Sequence, residues 1–577
     1  MKFIFRYMKE HIRSILAGVS IKFIGTFSEF MIPYVLEHLL DDVVPAGQNS
    51  MILIWGGVMM VIAAFVRFMN VTANRMAVRV ASSCIYRIRG ELFDKTLNLS
   101  GSQVDKYGLP SLISRMTSDS YNVQNFIRSI QTMGVRAPIL LLGGLIVTYI
   151  MDPGLALILL IMVPILVIIV ILISAKGIPL YTRVQQAVDD VVRIMRENIT
   201  GIRVIKALSK EESENARFSG ANRELFGRDV KASVIMALPG PLTTLFLNLG
   251  LTAVVVLGAY RVNGGITKPG VILAFLTYFN MILNGINGIN KTFMMISKAN
   301  ASADRISRVI EEGEPFESVY EAEEEGIPRV KIEPCIAFEN VSFGYLKEGR
   351  AAEGYELEDI SFSLPRGGSL GIIGATGSGK TTLINLLMRF YDVNRGRILV
   401  DGKNVKSYGV KELRRKFGVV FQNDTVFADT LQENIAFGRK VDEKRAREAA
   451  RDAQAWDFIE KYEERLLYKA DIHGANLSGG QKQRILIARA LAARPEILVL
   501  DDSSSALDYR TDASLRHTIS AHYEGTTTIM VAQRISSVMN MDNILVLDEG
   551  KIIGQGSHEQ LLKSCRLYRE IYEVQMS

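Results

Sequence analysis

The hydrophobic pattern of the chain changes once, near residue 315. Ahead of that point apolar residues form long continuous runs; after it none reaches membrane length. A helix that crosses a bilayer needs about 20 mostly apolar residues. Six stretches meet that length: 15–36, 52–74, 129–151, 155–176, 234–260 and 269–292. The fourth, LALILLIMVPILVIIVILISA, is the plainest, whereas the first and last carry polar residues.

The connections between these stretches alternate in length and charge. Residues 37–51 hold Glu37, Asp41 and Asp42 but no Lys or Arg, and the turn MDPG (151–154) is very short. By contrast, 75–128 carries Arg75, Arg79, Arg87, Arg89, Lys95, Lys106, Arg115 and Arg128. The stretch 176–231 is equally basic, with Lys176, Arg183, Arg193, Arg196, Arg203, Lys206 and Lys210. Positive loops stay in the cytoplasm, which places both termini and both long loops inside. The loops are expected to be helices that carry the spans onward into the cytosol. The last span is expected to extend in the same way, followed by an acidic linker over 313–333 that contains EAEEEG.

Three charges fall within the first two spans, and such residues are candidates for function by default. Lys22 and Glu29 share a helical face in the first span, and Arg67 lies in the second. They read either as a buried pair or snorkelling side chains, or as the lining of a polar cavity.

Composition narrows the class. The apolar share is 48% and the charged share 22% over 577 residues, which suits a membrane part joined to a soluble part. The net charge of +6 is small and spread out, which argues against a nucleic-acid binder. Cys84, Cys335 and Cys565 are far apart, without CxxC spacing, and read as unpaired thiols on a reducing side. The N-terminal MKFIFRYMKEHIRS is basic and amphipathic, lacks a small-residue cleavage site, and is expected to lie on the membrane surface.

The second half carries the chemistry. SLGIIGATGSGKTTLINLL (369–387) reads as strand, Gly-rich loop and helix. Its core, Gly374 to Thr381, matches G-x-x-x-x-G-K-[ST]. In such a loop Gly374, Thr376, Gly377, Ser378 and Gly379 let backbone N–H groups curl round phosphates, with Thr382 following in the helix. Lys380 reaches the β- and γ-phosphates, and the Thr381 hydroxyl faces Mg²⁺. The strand ILVLD (497–501) ends at Asp501, a second candidate for Mg²⁺. NLSGGQKQR (476–484) adds Ser478, Gly479, Gly480 and Gln481 ahead of a helix expected to open at Gln481.

GATGSGKT, LSGGQ, LVLD and SALD in this order resemble the nucleotide-binding domain of the ABC transporter superfamily. Six spans ahead of one such domain resemble a multidrug-type ABC exporter half-transporter, and the likeness covers the whole chain. LISRMTSDSYNVQ (112–124) and ENITGIRVIKALSKEE (197–212) are similar to the family's coupling regions. The fold implied is a membrane α-helical domain of six spans with long cytosolic extensions (1–312), fused to a cytosolic α/β P-loop ABC ATPase domain (334–577). The resemblance implies ATP and Mg²⁺ as cofactors. It also implies that Tyr345 stacks on adenine and that Gln422 touches Mg²⁺ and senses the membrane domain. Ser478 to Gln481 would contact nucleotide held by another subunit, and Asp508 would end the loop at the dimer interface. Two such domains sandwich two nucleotides, so a second ABC half-transporter chain is implied.

Three positions depart from the family pattern. Active members carry glutamate after the metal aspartate; here Asp502 is one methylene shorter. A displacement of about 1 Å can cost two orders of magnitude in rate. Where the family has a histidine, this chain has Gln533, whose amide can donate to a phosphate but cannot take up a proton usefully. Ile472, in DIHGAN, stands where a glutamate is usual before LSGGQ.

The expected function is therefore ATP-driven export of drug- or lipid-like small molecules across the plasma membrane by a heterodimer. This chain's own ATP site would be impaired at Asp502 and Gln533, and its LSGGQ would complete the partner's site. The alternatives are a homodimeric multidrug or lipid exporter and, more remotely, an ATP-gated channel or regulator. The partners expected are the second chain, a hydrophobic substrate and the bilayer, and not nucleic acid.

Overall fold

The structure, a computed structural model, describes residues 1–313, 316, 334–347, 350–351, 354–503 and 505–576. The expected linker over 313–333 lies almost wholly outside the described residues. The chain forms two compact units: Met1–Lys95 with Ile113–Glu312, and Thr96–Leu112 with Gly313–Ser577.

The first unit is helical, as is the segment Thr96–Leu112 that belongs to the second. In order the chain forms α1 (Lys2–Lys9), α2 (Ile12–Ser28), α3 (Met31–His38), α4 (Asn49–Leu97), α5 (Gly101–Tyr107), α6 (Leu109–Ser114), α7 (Ser120–Met151), α8 (Pro153–Thr200), α9 (Ile202–Ala207), α10 (Glu211–Ala237), α11 (Pro239–Asn263) and α12 (Pro269–Ile310). Five helical stretches among the described residues are long and apolar enough to cross a membrane: Ile12–Val43, Asn49–Leu97, Leu109–Met151, Glu211–Asn263 and Pro269–Ile310. The apolar start of α8, Pro153–Ile169, is a shorter sixth. At 49 residues, α4 is more than twice the length a bilayer needs, so it runs well past the apolar stretch, as do α8 and α12.

Local chemistry sets the breaks. The expected span over 15–36 is interrupted at Glu29–Phe30, between α2 and α3. The span over 234–260 is interrupted at Leu238, because Pro239 has no N–H and suits the first turn of a new helix. In MDPG, the Asp152 side chain accepts from the N–H groups of Gly154 (2.9 Å) and Leu155 (3.1 Å), with Pro153 opening α8. Arg261 pairs with the same carboxylate at 3.0 Å.

α7 and α12 approach closely because small residues meet: a Cβ placed on Gly285 would lie 2.8 Å from the Ala137 carbonyl oxygen. The buried Tyr278 hydroxyl donates to the Phe30 carbonyl at 2.8 Å and ties α12 to the break after α2. Lys22 and Glu29 share a face but do not pair with each other. Lys22 donates to Asn70 (2.7 Å) and Asn74 (3.2 Å) on α4, and Arg136 on α7 donates to Glu29 (2.8 Å). Arg67 is exposed in the isolated chain. The three cysteines are buried, and their thiols are free.

Among the described residues the second unit contains twelve strands: β1 (Ile336–Phe343), β2 (Leu346–Lys347), β3 (Arg350–Ala351), β4 (Leu357–Leu364), β5 (Ser369–Gly374), β6 (Arg395–Val400), β7 (Lys403–Asn404), β8 (Phe417–Val420), β9 (Ile497–Asp501), β10 (Thr527–Val531), β11 (Asn543–Asp548) and β12 (Lys551–Gly556). An antiparallel sheet has the order β4-β1-β6-β7, and a mostly parallel sheet the order β12-β11-β5-β10-β9-β8. Strands β9 and β10 are buried at every position, as expected of parallel strands covered on both faces. The same unit includes α5. The Gly101 N–H donates to the Phe390 carbonyl at 3.0 Å, and the Tyr391 hydroxyl donates to Asp105 at 2.7 Å.

Past the apolar part of α7, Asp119 is buried and accepts from Ser302 (2.9 Å) and from the guanidinium of Arg305 (Nε, 2.8 Å; Nη2) on α12. Burial opposes ionisation, but these bonds outweigh it and hold the carboxyl below the usual range. A depressed carboxyl stabilises the fold above its unfolded pKa, and the contribution fades as pH falls through the folded value. Asp119→Asn should therefore cost about 1–2 kcal/mol at neutral pH, given the half-exposed Arg305, and less in acid. Thermal unfolding of the two proteins across pH measures the difference.

Candidate functional site

The ends of four adjacent parallel strands converge on one crevice, where ligands bind in sheets of this kind. β5 ends at Gly374, β9 at Asp501, and β8 and β10 stop just before Gln422 and Gln533. After β5 the loop turns through Gly377 (φ +84°) and Gly379 (φ +95°), left-handed conformations that glycine adopts freely. α13 (Lys380–Leu387) then starts with its free N–H groups at the loop. A cavity of about 200 Å³ lies here, lined by Thr376, Gly377, Gly379, Lys380, Thr381, Thr382, Gln422, Asp501, Asp502 and Gln533.

The Lys380 ammonium donates to the carbonyls of Gly374 (2.9 Å) and Ala375 (2.6 Å) and to the Ser378 hydroxyl (3.3 Å). These neutral acceptors leave its charge available to a phosphate. Burial pulls its pKa below the usual lysine range. Asp501 is almost fully buried, and its Oδ2 accepts from the Thr381 hydroxyl at 3.0 Å. Burial pushes its carboxyl above the usual range, and the neighbouring Asp502 charge adds to the effect. Thr381, Asp501 and the Gln422 side-chain oxygen form a hard oxygen donor set, which fits Mg²⁺.

Asp502 has φ +51°, a left-handed conformation that aspartate tolerates better than most residues. Its Oδ2 accepts from both Gln422 (3.3 Å) and Gln533 (3.0 Å). Two of the three departures from the family pattern, Asp502 and Gln533, are thus bonded to each other. Burial raises the Asp502 carboxyl, while the Gln422 bond opposes the rise.

Other expected site residues lie around or apart from the crevice. The Tyr345 hydroxyl is 3.1 Å from the Thr382 hydroxyl, and its ring packs edge-on against Phe343 and Tyr391. None of the described residues lining the cavity comes from 478–481. The helix after the signature begins at Gly479, not Gln481. Ser478 caps it: its hydroxyl accepts from the Gln481 N–H (3.3 Å), and the Gln481 side chain accepts from the Ser478 N–H (2.8 Å). Gln481 therefore sits in the first turn because its side chain closes this box. A Cβ on Gly480 would lie 3.1 Å from the Ala506 carbonyl, so the signature packs on the SALD loop. Asp508 caps the helix Tyr509–His522 by accepting from the Thr511 N–H (2.9 Å) and hydroxyl (2.7 Å). Ile472 is 72% exposed. Glu356 also lines the cavity; no motif marks it, and only the fold of the segment before β4 brings it there.

The sequence model of the ABC transporter transmembrane region matches residues 15–286, and that of the ABC transporter family matches 357–505. The uncharacterized ABC transporter ATP-binding protein YfiB of Bacillus subtilis (strain 168) is 35% identical over 567 residues, 97% of this chain and 96% of that protein. An ATP-dependent lipid A-core flippase of Syntrophus aciditrophicus (strain SB) is 30% identical over 548 residues, 94% of this chain and 89% of that one. In fold the chain is similar to a bacterial Atm1-family ABC exporter solved with ATP bound, with a TM-score of 0.77 over 99% of both chains at 24% identity. With the glycine loop after β5, the buried Asp501 beside Thr381 and the capped LSGGQ helix on the page, these likenesses show that this chain belongs to the ABC transporter family, as an exporter-type membrane domain fused to an ABC ATPase domain.

Proposed function

We propose that the chain is one half of a heterodimeric ATP-driven exporter of hydrophobic or amphiphilic small molecules, with a catalytically impaired ATP site of its own. The observation that carries the reading is Asp502: a short carboxylate in the position of the catalytic base, with one oxygen drawn onto Gln422 and Gln533. Its LSGGQ, Ser478 to Gln481, would serve the partner's nucleotide. The amphiphile class draws support from the relative named a lipid A-core flippase. The basic stretches 75–128 and 176–231 support a plasma-membrane protein with both termini and the ATPase domain in the cytoplasm.

In this reading Lys380 and the N–H groups before α13 bind and orient the phosphates, and Tyr345 holds the adenine. Thr381, Gln422 and Asp501 would hold Mg²⁺, which neutralises charge on the phosphates when bound. Asp502 is too short to place a water well, and Gln533 cannot move a proton. Nucleotide is therefore retained and turned over slowly, while the partner's site supplies turnover.

ATPase activity of the purified chain alone should be low. Asp502→Glu combined with Gln533→His should raise it about 10²–10⁴-fold, the contribution of a positioned base. Brisk, substrate-stimulated turnover by the unmodified chain would instead identify a working homodimer. Lys380→Ala should weaken binding of a fluorescent ATP analogue at least about tenfold, the effect of losing one charge-assisted contact. For Asp501, whose carboxyl is raised by burial, the sign is opposite to Asp119: ionisation costs stability once pH exceeds the unfolded value. Asp501→Asn should raise the unfolding temperature of the nucleotide-free chain at pH 7, with the difference closing in acid, and should abolish the further rise with Mg²⁺ and ATP.

A further inference from the structure

A polar seam runs between α2, α4 and α7 inside the apolar layer. Lys22 and Thr26 on α2, and Glu29 at its C-cap, recur at helical spacing on one face. Lys22 is 4% exposed and Thr26 is fully buried. Opposite them stand Asn70 and Asn74 on α4 and Arg136 on α7. At 1.5 Å per residue, Lys22 lies about 10 Å inside one end of the span 15–36, and Arg67 lies about 10 Å inside the matching end of 52–74.

The unmet hydrogen-bonding capacity of this seam is on the donor side. An ammonium has three donors, and Lys22 uses two on the amide oxygens of Asn70 and Asn74. Arg136 gives Nη2 to Glu29, but its Nε is buried with no acceptor. The Thr26 hydroxyl is also buried with no partner. In charge, Glu29 is the one carboxylate among the described residues bonded to the seam, against Lys22 and Arg136. Arg67 stands one turn from Asn70 on the same helix. Lys22, a buried cation with no carboxylate bonded to it, is costly in an apolar medium. Water could meet the free donors but would bring no charge.

We infer that Lys22, Thr26 and Arg136 hold the anionic headgroup, a phosphate or carboxylate, of the amphiphile this chain exports. This rests on the exporter reading above and adds the charge of the cargo. Glu29 acts as a positioning residue: it fixes one edge of the Arg136 guanidinium and leaves Nε for the ligand. Asn70 and Asn74 hold Lys22 without neutralising it, which a carboxylate in either place would do.

The test is equilibrium binding of tritiated dodecyl phosphate to the purified full chain in phosphatidylcholine nanodiscs. Competitors are laurate, dodecyltrimethylammonium, dodecyl maltoside and inorganic phosphate. The expected result is displacement by laurate at concentrations roughly tenfold or more below those needed for dodecyltrimethylammonium or the maltoside, the discrimination one charge-assisted contact provides. Lys22→Met should weaken dodecyl phosphate binding by at least about tenfold on the same grounds, while Lys22→Arg keeps the headgroup preference. Asn70→Asp, which places a competing carboxylate beside Lys22, should abolish that preference whether or not Lys22→Met folds. ATP-analogue binding checks that each variant is intact. Unchanged binding in both Lys22→Met and Asn70→Asp overturns the inference and leaves the seam a structural role. Equal competition by inorganic phosphate overturns the amphiphile as ligand in favour of a free anion. Amphiphile binding with no headgroup preference overturns the anion assignment alone. Binding of none of the amphiphiles overturns the exporter reading with it.

Discussion

Two adjacent carboxylates at the end of one fully buried strand are the constraint around which the ATPase domain is arranged. Asp501 and Asp502 follow four apolar residues in a sheet covered on both sides, which leaves Asp501 buried and Asp502 half-buried. Each must be met by groups from neighbouring strand ends, and β5, β8 and β10 supply them: Thr381 for the first, Gln422 and Gln533 for the second. Burial raises both carboxyls and lowers Lys380, so the site without nucleotide is electrostatically frustrated. Such frustration is what a phosphate and a divalent cation relieve, and it links occupancy of the site to the stability of the sheet.

The membrane unit solves the same problem differently. Its ionised groups are spread over several helices and satisfied pairwise at the breaks: Asp152 with Arg261, Asp119 with Arg305, Glu29 with Arg136. The first two pairs lie where helices start or leave the apolar layer and order the helices without demanding a ligand, whereas Arg136 keeps its Nε without an acceptor beside Glu29. Lys22 differs from these pairs in having hydrogen bonds to amide oxygens only.

Much of this was legible in the residues. The glycine loop after β5, the strand that ends at Asp501 and the capped helix start at Ser478 follow from local spacing, because each needs particular groups within one turn or loop. The long helices followed from apolar runs and the basic stretches beyond them. What escaped was non-local. Nothing in the spacing of Lys22 and Glu29 reveals that each bonds to a different helix, since a shared face states only what one helix offers. Arg136 was hidden in an apolar run, and Glu356 had no motif. The interruptions at Glu29 and Leu238 were masked by hydropathy, which averages over the very residues that end a helix. The bond between Gln533 and Asp502, 31 residues apart, needed the strand order to be known.

The placement of α5 bears on biosynthesis. Gly101 and Asp105 bond to Phe390 and Tyr391, and the Tyr391–Asp105 pair is separated by 286 residues. At 5–20 residues per second, a ribosome makes α5 about 15–60 s before its docking surface exists. During that interval the rest of the helical unit can assemble, but this loop has nothing of its own to fold against. The chain therefore carries an obligatory order of maturation: the amino-terminal half leaves a loose end that only the completed ATPase domain can take up. Truncation or misfolding of that domain would leave the end exposed to the cell's quality-control machinery even with every membrane helix correctly inserted.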